Sequence, residues 1–96
     1  MDRVALTPEA VQEARELLGA DSLDGVRNKV LRIAVGSCGL RRPVAAPALP
    51  EAEDERLVVD GLPVAIASTL RGTFRVTVGR GRFGAWLNVE QDQPGD

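Results

Sequence analysis

The one thiol of this 96-residue chain is Cys38, set in Gly36-Ser37-Cys38-Gly39 directly after the apolar run Val30-Leu31-Arg32-Ile33-Ala34-Val35. A strand that runs into a glycine-flanked loop holds its thiol at a rim, where a metal, a cluster or an oxidant can reach it. Gly36 and Gly39 let the backbone take φ > 0 and come close to a bound group. The same cysteine also suits a half-buried place in a turn, because free cysteine packs as a small hydrophobe. A third use, thiol redox chemistry, needs exposure and a lowered thiol pKa, and Arg41 and Arg42 are the nearby charges that would supply it. Residue chemistry leaves these readings open.

What the chain lacks narrows the chemistry further. It has no histidine and no tyrosine. A Ser-His-Asp or Cys-His arrangement is therefore impossible within one chain. One subunit cannot build a zinc site of the usual Cys/His type, and a lone cysteine excludes an internal disulfide framework. Gly79-Arg80-Gly81-Arg82-Phe83-Gly84 fits a dinucleotide fingerprint by letter. It is followed, however, by the strand-like Ala85-Trp86-Leu87-Asn88-Val89, where the fingerprint requires a helix. It reads as a tight turn between strands. No general base is visible, and the expectation is a protein that is not an enzyme. The acidic run Glu51-Ala52-Glu53-Asp54-Glu55 offers oxygen ligands for a hard cation, but such runs are more often solvated loops.

Charge and composition set the remaining bounds. The net charge is −2 and the pI about 5.1. Phosphate-backbone affinity comes from clustered Lys and Arg; here Arg41-Arg42 and Arg71, Arg75, Arg80 and Arg82 read as solvated positions. Phe74, Phe83 and Trp86 are the only aromatics, too few for a stacking platform. No nucleic-acid partner is expected. No apolar run is long enough to span a bilayer, and Met1-Asp2-Arg3-Val4 lacks the apolar stretch of a secretory signal, so the expected location is cytoplasmic. Hydrophobic residues make up 44%, and with so few aromatics the core must be Val, Leu, Ile and Ala. A domain this small buries a limited share of its surface, which self-association would help.

The elements that position Cys38 follow from periodicity. Val4-Ala5-Leu6 is a short strand. Thr7 caps a helix that Pro8 and Glu9 favour at its first turn. Ala10, Val11, Ala14, Leu17 and Leu18 give that helix one apolar stripe, with Gly19 as its expected stop. Residues 21–29 read as loop, and Val30–Val35 as a strand with Leu31, Ile33 and Val35 on one face. Pro43, Pro47 and Pro50 restrict the next segment to an edge strand or irregular loop. Asp60-Gly61 marks a hairpin, and Ser68–Gly72 suggests a helical turn. Thr73–Val78 and Gly84–Val89 are the last strands. The sum is one α+β domain over residues 1–90, an N-terminal helix with a small mixed β-sandwich or half-barrel of about six short strands. Residues 91–96 are expected to be a disordered tail.

Over nearly its whole length this order resembles the HesB-like family, the A-type carriers of iron–sulfur cluster biogenesis. Val4-Ala5-Leu6-Thr7-Pro8-Glu9-Ala10-Val11 looks like the family's opening strand and Thr-Pro-capped helix. Leu31–Gly39 looks like its second strand and cysteine loop, Arg56–Val64 like its Asp-Gly hairpin, and Leu70-Arg71-Gly72-Thr73 like its Leu-x-Gly-Thr turn. Gly81-Arg82-Phe83-Gly84 and Asn88 match its late region weakly. The resemblance implies that Cys38 is a ligand to a cluster or iron, with Gly36 and Gly39 shaping the loop. It implies partners among iron–sulfur biogenesis or recipient proteins; a symmetric homodimer would supply a second thiol if both Cys38 loops meet across the axis. The family also uses a Cys-Gly-Cys pair near its C-terminus, which Val89–Asp96 lacks. Ser37 stands in place of a loop glycine, and Arg42-Pro43 where an aromatic is usual. The scaffold is implied more strongly than the activity, and a cluster-free interaction or regulatory domain is the alternative.

Overall fold

A computed structural model describes residues 3–21, 28–35 and 42–94. Strand β1 (Val4–Leu6) leads into helix α1 (Pro8–Asp21), then β2 (Val30–Val35), β3 (Pro43–Ala48), β4 (Glu55–Val59), β5 (Leu62–Ile66), β6 (Gly72–Gly81) and β7 (Gly84–Pro94). The strands form two sheets, in the orders β1-β6-β7 and β3-β2-β5-β4. In the first, β1 runs parallel to β6 and β7 returns antiparallel. In the second, β2 is parallel to β5 and antiparallel to β3.

The inner faces follow the period-two pattern of the sequence. Leu31, Ile33, Val64 and Ile66 face Val4, Phe74, Val76 and Val89, and all are buried. Ala10 and Ala14 of α1 are fully buried in the same core. Their small side chains let the helix backbone approach both sheets. Thr7 begins the helix as expected: its Oγ1 accepts the Ala10 N–H at 3.1 Å and its carbonyl accepts the Val11 N–H at 2.9 Å. The Asp60-Gly61 turn joins Val59 and Leu62 with φ of 51° and 80°. Two positive φ values in a two-residue loop match the twist of the flanking strands.

Two expectations are corrected. The helix does not stop at Gly19 but continues to Asp21; Gly19 does not take the left-handed conformation that ends a helix, and nothing crowds it. Of the two forms expected for the proline-rich segment, edge strand or irregular loop, the structure has the edge strand, with Pro43 and Pro47 opposite Val35 and Leu31. An edge tolerates a residue without an N–H donor, and with this strand the described residues hold seven. Strand β7 continues past residue 90 as far as Pro94. Gln91, Gln93 and Pro94 pair with Phe74, Thr73 and Gly72 across a register shift at Thr73/Phe74. The long β6 offers a ladder that these polar residues complete through their main chain.

Arg3 ties the two sheets together near their ends. Its Nε donates to the Gly72 carbonyl at 2.7 Å and its Nη2 to the Leu70 carbonyl at 3.2 Å, while Nη1 pairs with Glu55. Gly72 takes φ of 90° at the start of β6.

Candidate functional site

Gly36, Cys38 and Gly39 lie outside the described residues, as does Arg41. The strands on either side are described, and they fix where the thiol segment begins and ends. Val35 closes β2 opposite Pro43, which opens β3. Connectivity alone ties Cys38 to this corner: three residues from Val35 span at most about 11 Å, whatever conformation they take. At the corner Val35 and Val44 are 44% and 48% exposed, and Arg42 is exposed. Val35 shares the inner face with Ile33, yet it sits at the strand end, beyond the packed core.

Behind this corner the outer face of β2 is held by a buried ion pair that sequence reasoning did not single out. Arg32 Nε donates to Asp54 Oδ2 at 2.7 Å, and Arg32 Nη2 donates to Asp54 Oδ1 at 3.1 Å and to Glu51. Asp54 Oδ2 also accepts the Glu51 N–H at 2.9 Å, and the Asp54 N–H returns to the Glu51 carbonyl. The Asp54 side chain is 1% exposed and that of Arg32 19%. The Arg32 hydrogen bond holds the Asp54 carboxyl below its ordinary value, with burial opposing and the Glu51 N–H assisting. The same bond raises the Arg32 guanidinium. The segment from β3 to β4 thus crosses over β2 and is pinned at its centre. The signal was present as one acid inside the run 51–55, facing an arginine on the polar side of a strand.

That pairing decides the chemistry of the acidic run. Asp54 is committed to Arg32, and Glu55 to Arg3. Among the described residues no three of His, Cys, Asp and Glu are grouped to hold a metal ion. The run is structural: it fastens a crossover. The basic stretch is likewise not one patch. Arg80 lines a cavity of about 250 Å³ with Glu9, Gln12, Glu13 and Glu16 of α1, so its charge faces carboxylates. No described helix is long and apolar enough to cross a membrane.

No family model and no curated protein sequence matches the chain. Solved structures do. The chain matches the crystal structure of IscA with the 2Fe–2S cluster at a TM-score of 0.59 and 27% identity, covering 93% of this chain and 85% of that one. It matches Escherichia coli SufA, involved in biosynthesis of iron–sulfur clusters, at a TM-score of 0.68 and 18% identity, covering 92% and 84%. The second likeness shows fold alone, and both extend over almost the full chain. The protein has the α+β, HesB-like fold of IscA and SufA.

Proposed function

We propose that this chain works in iron–sulfur cluster biogenesis as a carrier of a cluster or of iron, with Cys38 its thiolate ligand. The observation that carries the reading is the 27% likeness, over 93% of the chain, to a structure of IscA that holds a 2Fe–2S cluster. The chain's single thiol falls between β2 and β3, at a corner whose flanking residues are exposed. Its partners would then be proteins that assemble or receive clusters.

The donor set limits how the cargo is held. Clusters of this kind commonly take four thiolates, and one chain supplies one. No acid cluster among the described residues makes up the difference. Two chains related by a two-fold axis supply two thiolates if their Cys38 segments meet. The other two come from outside, from glutathione or a partner protein. Cargo held by half of its own ligands is cargo held for release.

The test is anaerobic reconstitution with ferrous iron, sulfide and glutathione, on wild type and Cys38→Ser. The expected result is a visible iron–sulfur band that needs both Cys38 and the external thiol. A colourless wild-type protein overturns the carrier reading. It would favour the second reading, a cluster-free interaction domain on the same scaffold, which the lack of cysteine in Val89–Asp96 supports. Its surface would be the thiol segment with Arg42 and the proline-bearing edge strand β3.

A further inference from the structure

Of the chain's three aromatic side chains, Phe74 alone is in the core. The other two sit on the β6–β7 hairpin and face solvent, Phe83 almost wholly and Trp86 by half. Arg82 and Phe83 are the two residues that turn β6 into β7, between Gly81 and Gly84. A single exposed apolar residue needs no account. Two aromatics placed together at one tip, in a chain so poor in them, do. The Phe83 ring packs almost nothing of its own fold.

The ground behind the tip is set in advance. The Trp86 ring lies across Gly79 and Gly81, so close that a Cβ on Gly79 would stand 2.4 Å from it. Gly81 adjoins Arg82, so the ring reaches the base of the turn. Pairing between β6 and β7 is continuous from Phe74 opposite Gln91 to Gly81 opposite Gly84. A knob on a rigid hairpin loses little freedom when it docks.

Charge selects the occupant. From Gly72 to Val89 the charged residues are Arg75, Arg80 and Arg82, with no acid, in a chain of net charge −2. Arg80 is turned to Glu9, Glu13 and Glu16 of α1, and Arg82 is exposed at the tip. Aromatic and arginine side chains are what interface centres concentrate. Their complement is an apolar pocket for one ring with carboxylates at its rim. A lipid surface fits less well. Only Phe83 projects, and a basic residue near an anionic surface adds about 1 kcal/mol, against the negative charge of the whole chain. A second copy fits less well too, because its own acids on α1 already have Arg80 against them.

The tip also stands clear of the thiol corner. Arg3 joins Gly72 to Glu55, Glu55 lies opposite Ile66, and Ile66 opposite Ile33, two residues before Val35. The start of β6 is therefore at the Cys38 end. From there β1 runs alongside β4, lining one groove with it, and β6 is parallel to β1. The ten residues of β6 carry the tip about 30 Å away. We propose that the Arg82-Phe83 tip docks a partner protein, Phe83 entering an apolar pocket whose carboxylate rim pairs with Arg82, with Trp86 as the wall behind. The surface works with or without cargo at the far end.

The test begins with the full chain carrying Phe83→p-benzoylphenylalanine, irradiated in the cells that make it, with Val58→p-benzoylphenylalanine as the background from another exposed site. The protein captured from position 83 alone is identified by mass spectrometry and purified, and its Kd is measured. Phe83→Ala should weaken that Kd at least about tenfold. Arg82→Glu should weaken it by a factor that shrinks as salt is raised, and Cys38→Ser should leave it unchanged. The proposal is overturned if position 83 captures nothing beyond the background, or captures lipid or a second copy of the chain. It is equally overturned if the captured protein binds Phe83→Ala as tightly as wild type.

Discussion

The outer faces of the two sheets are built in opposite ways. That of the four-stranded sheet is roofed by the crossover from β3 to β4, with Asp54 clamped to Arg32 and Ala65 beneath wholly buried. That of the three-stranded sheet carries Trp86, half exposed, lying across Gly79 and Gly81 of the neighbouring strand. One face is closed by a satisfied polar pair, the other by an aromatic ring that fills the space two glycines leave. The difference teaches where the fold is over-determined. The thiol corner hangs from the first sheet, whose β2 is fixed by pairing on both edges and by the roof above.

The largest effect should come from the core both faces share. Phe74 is 2% exposed, and Phe74→Ala should cost about 3–5 kcal/mol. That is a large part of the total stability of a small domain, and urea unfolding measures it. The same measurement applied to Asp54→Asn should show a loss of about 2 kcal/mol at neutral pH. It should also carry a pH signature. The folded-state pKa of Asp54 lies below its ordinary 3.8, so the stabilisation is present above that value and is lost as pH falls through the lowered one. Wild type should lose this part in acid and Asp54→Asn should not. Equal acid sensitivity of the two proteins would remove the roof from the account.

Gly79→Ala sharpens the other face. A Cβ there would stand 2.5 Å from Nε1 and 2.6 Å from Cζ2 of Trp86, so the ring must leave. A loss of about 1 kcal/mol is expected, with a red shift in emission from the single tryptophan. Phe83→Ala should do least. Phe83 is 98% exposed at the tip between β6 and β7, and the change should stay within about 0.5 kcal/mol.

Much of this architecture was legible in the residues because its signals are local. Thr7-Pro8 starts the helix and Asp60-Gly61 makes the hairpin through chemistry that acts within a few residues. Alternation along β2 and β6 showed which face is buried. What was not legible depends on partners far apart in sequence. Arg32 and Asp54 are 22 residues apart, and no pattern near either one names the other. Gly19 looked like a helix end because glycine permits one, but permission is not requirement. Gln91 and Gln93 looked like a tail because they are polar, yet a ladder partner on β6 orders their main chain. For the site, the expected ligand Cys38 and the loop glycines Gly36 and Gly39 lie outside the described residues, and only the strands that deliver them are on view.

The central claim is that this fold holds its cargo with one thiolate per chain, shared between two chains. Native mass spectrometry of the anaerobically reconstituted protein tests it most directly. The account predicts a species of two chains with one 2Fe–2S cluster and two glutathiones, absent from Cys38→Ser. A cluster on a single chain, or the same species formed by Cys38→Ser, would contradict it.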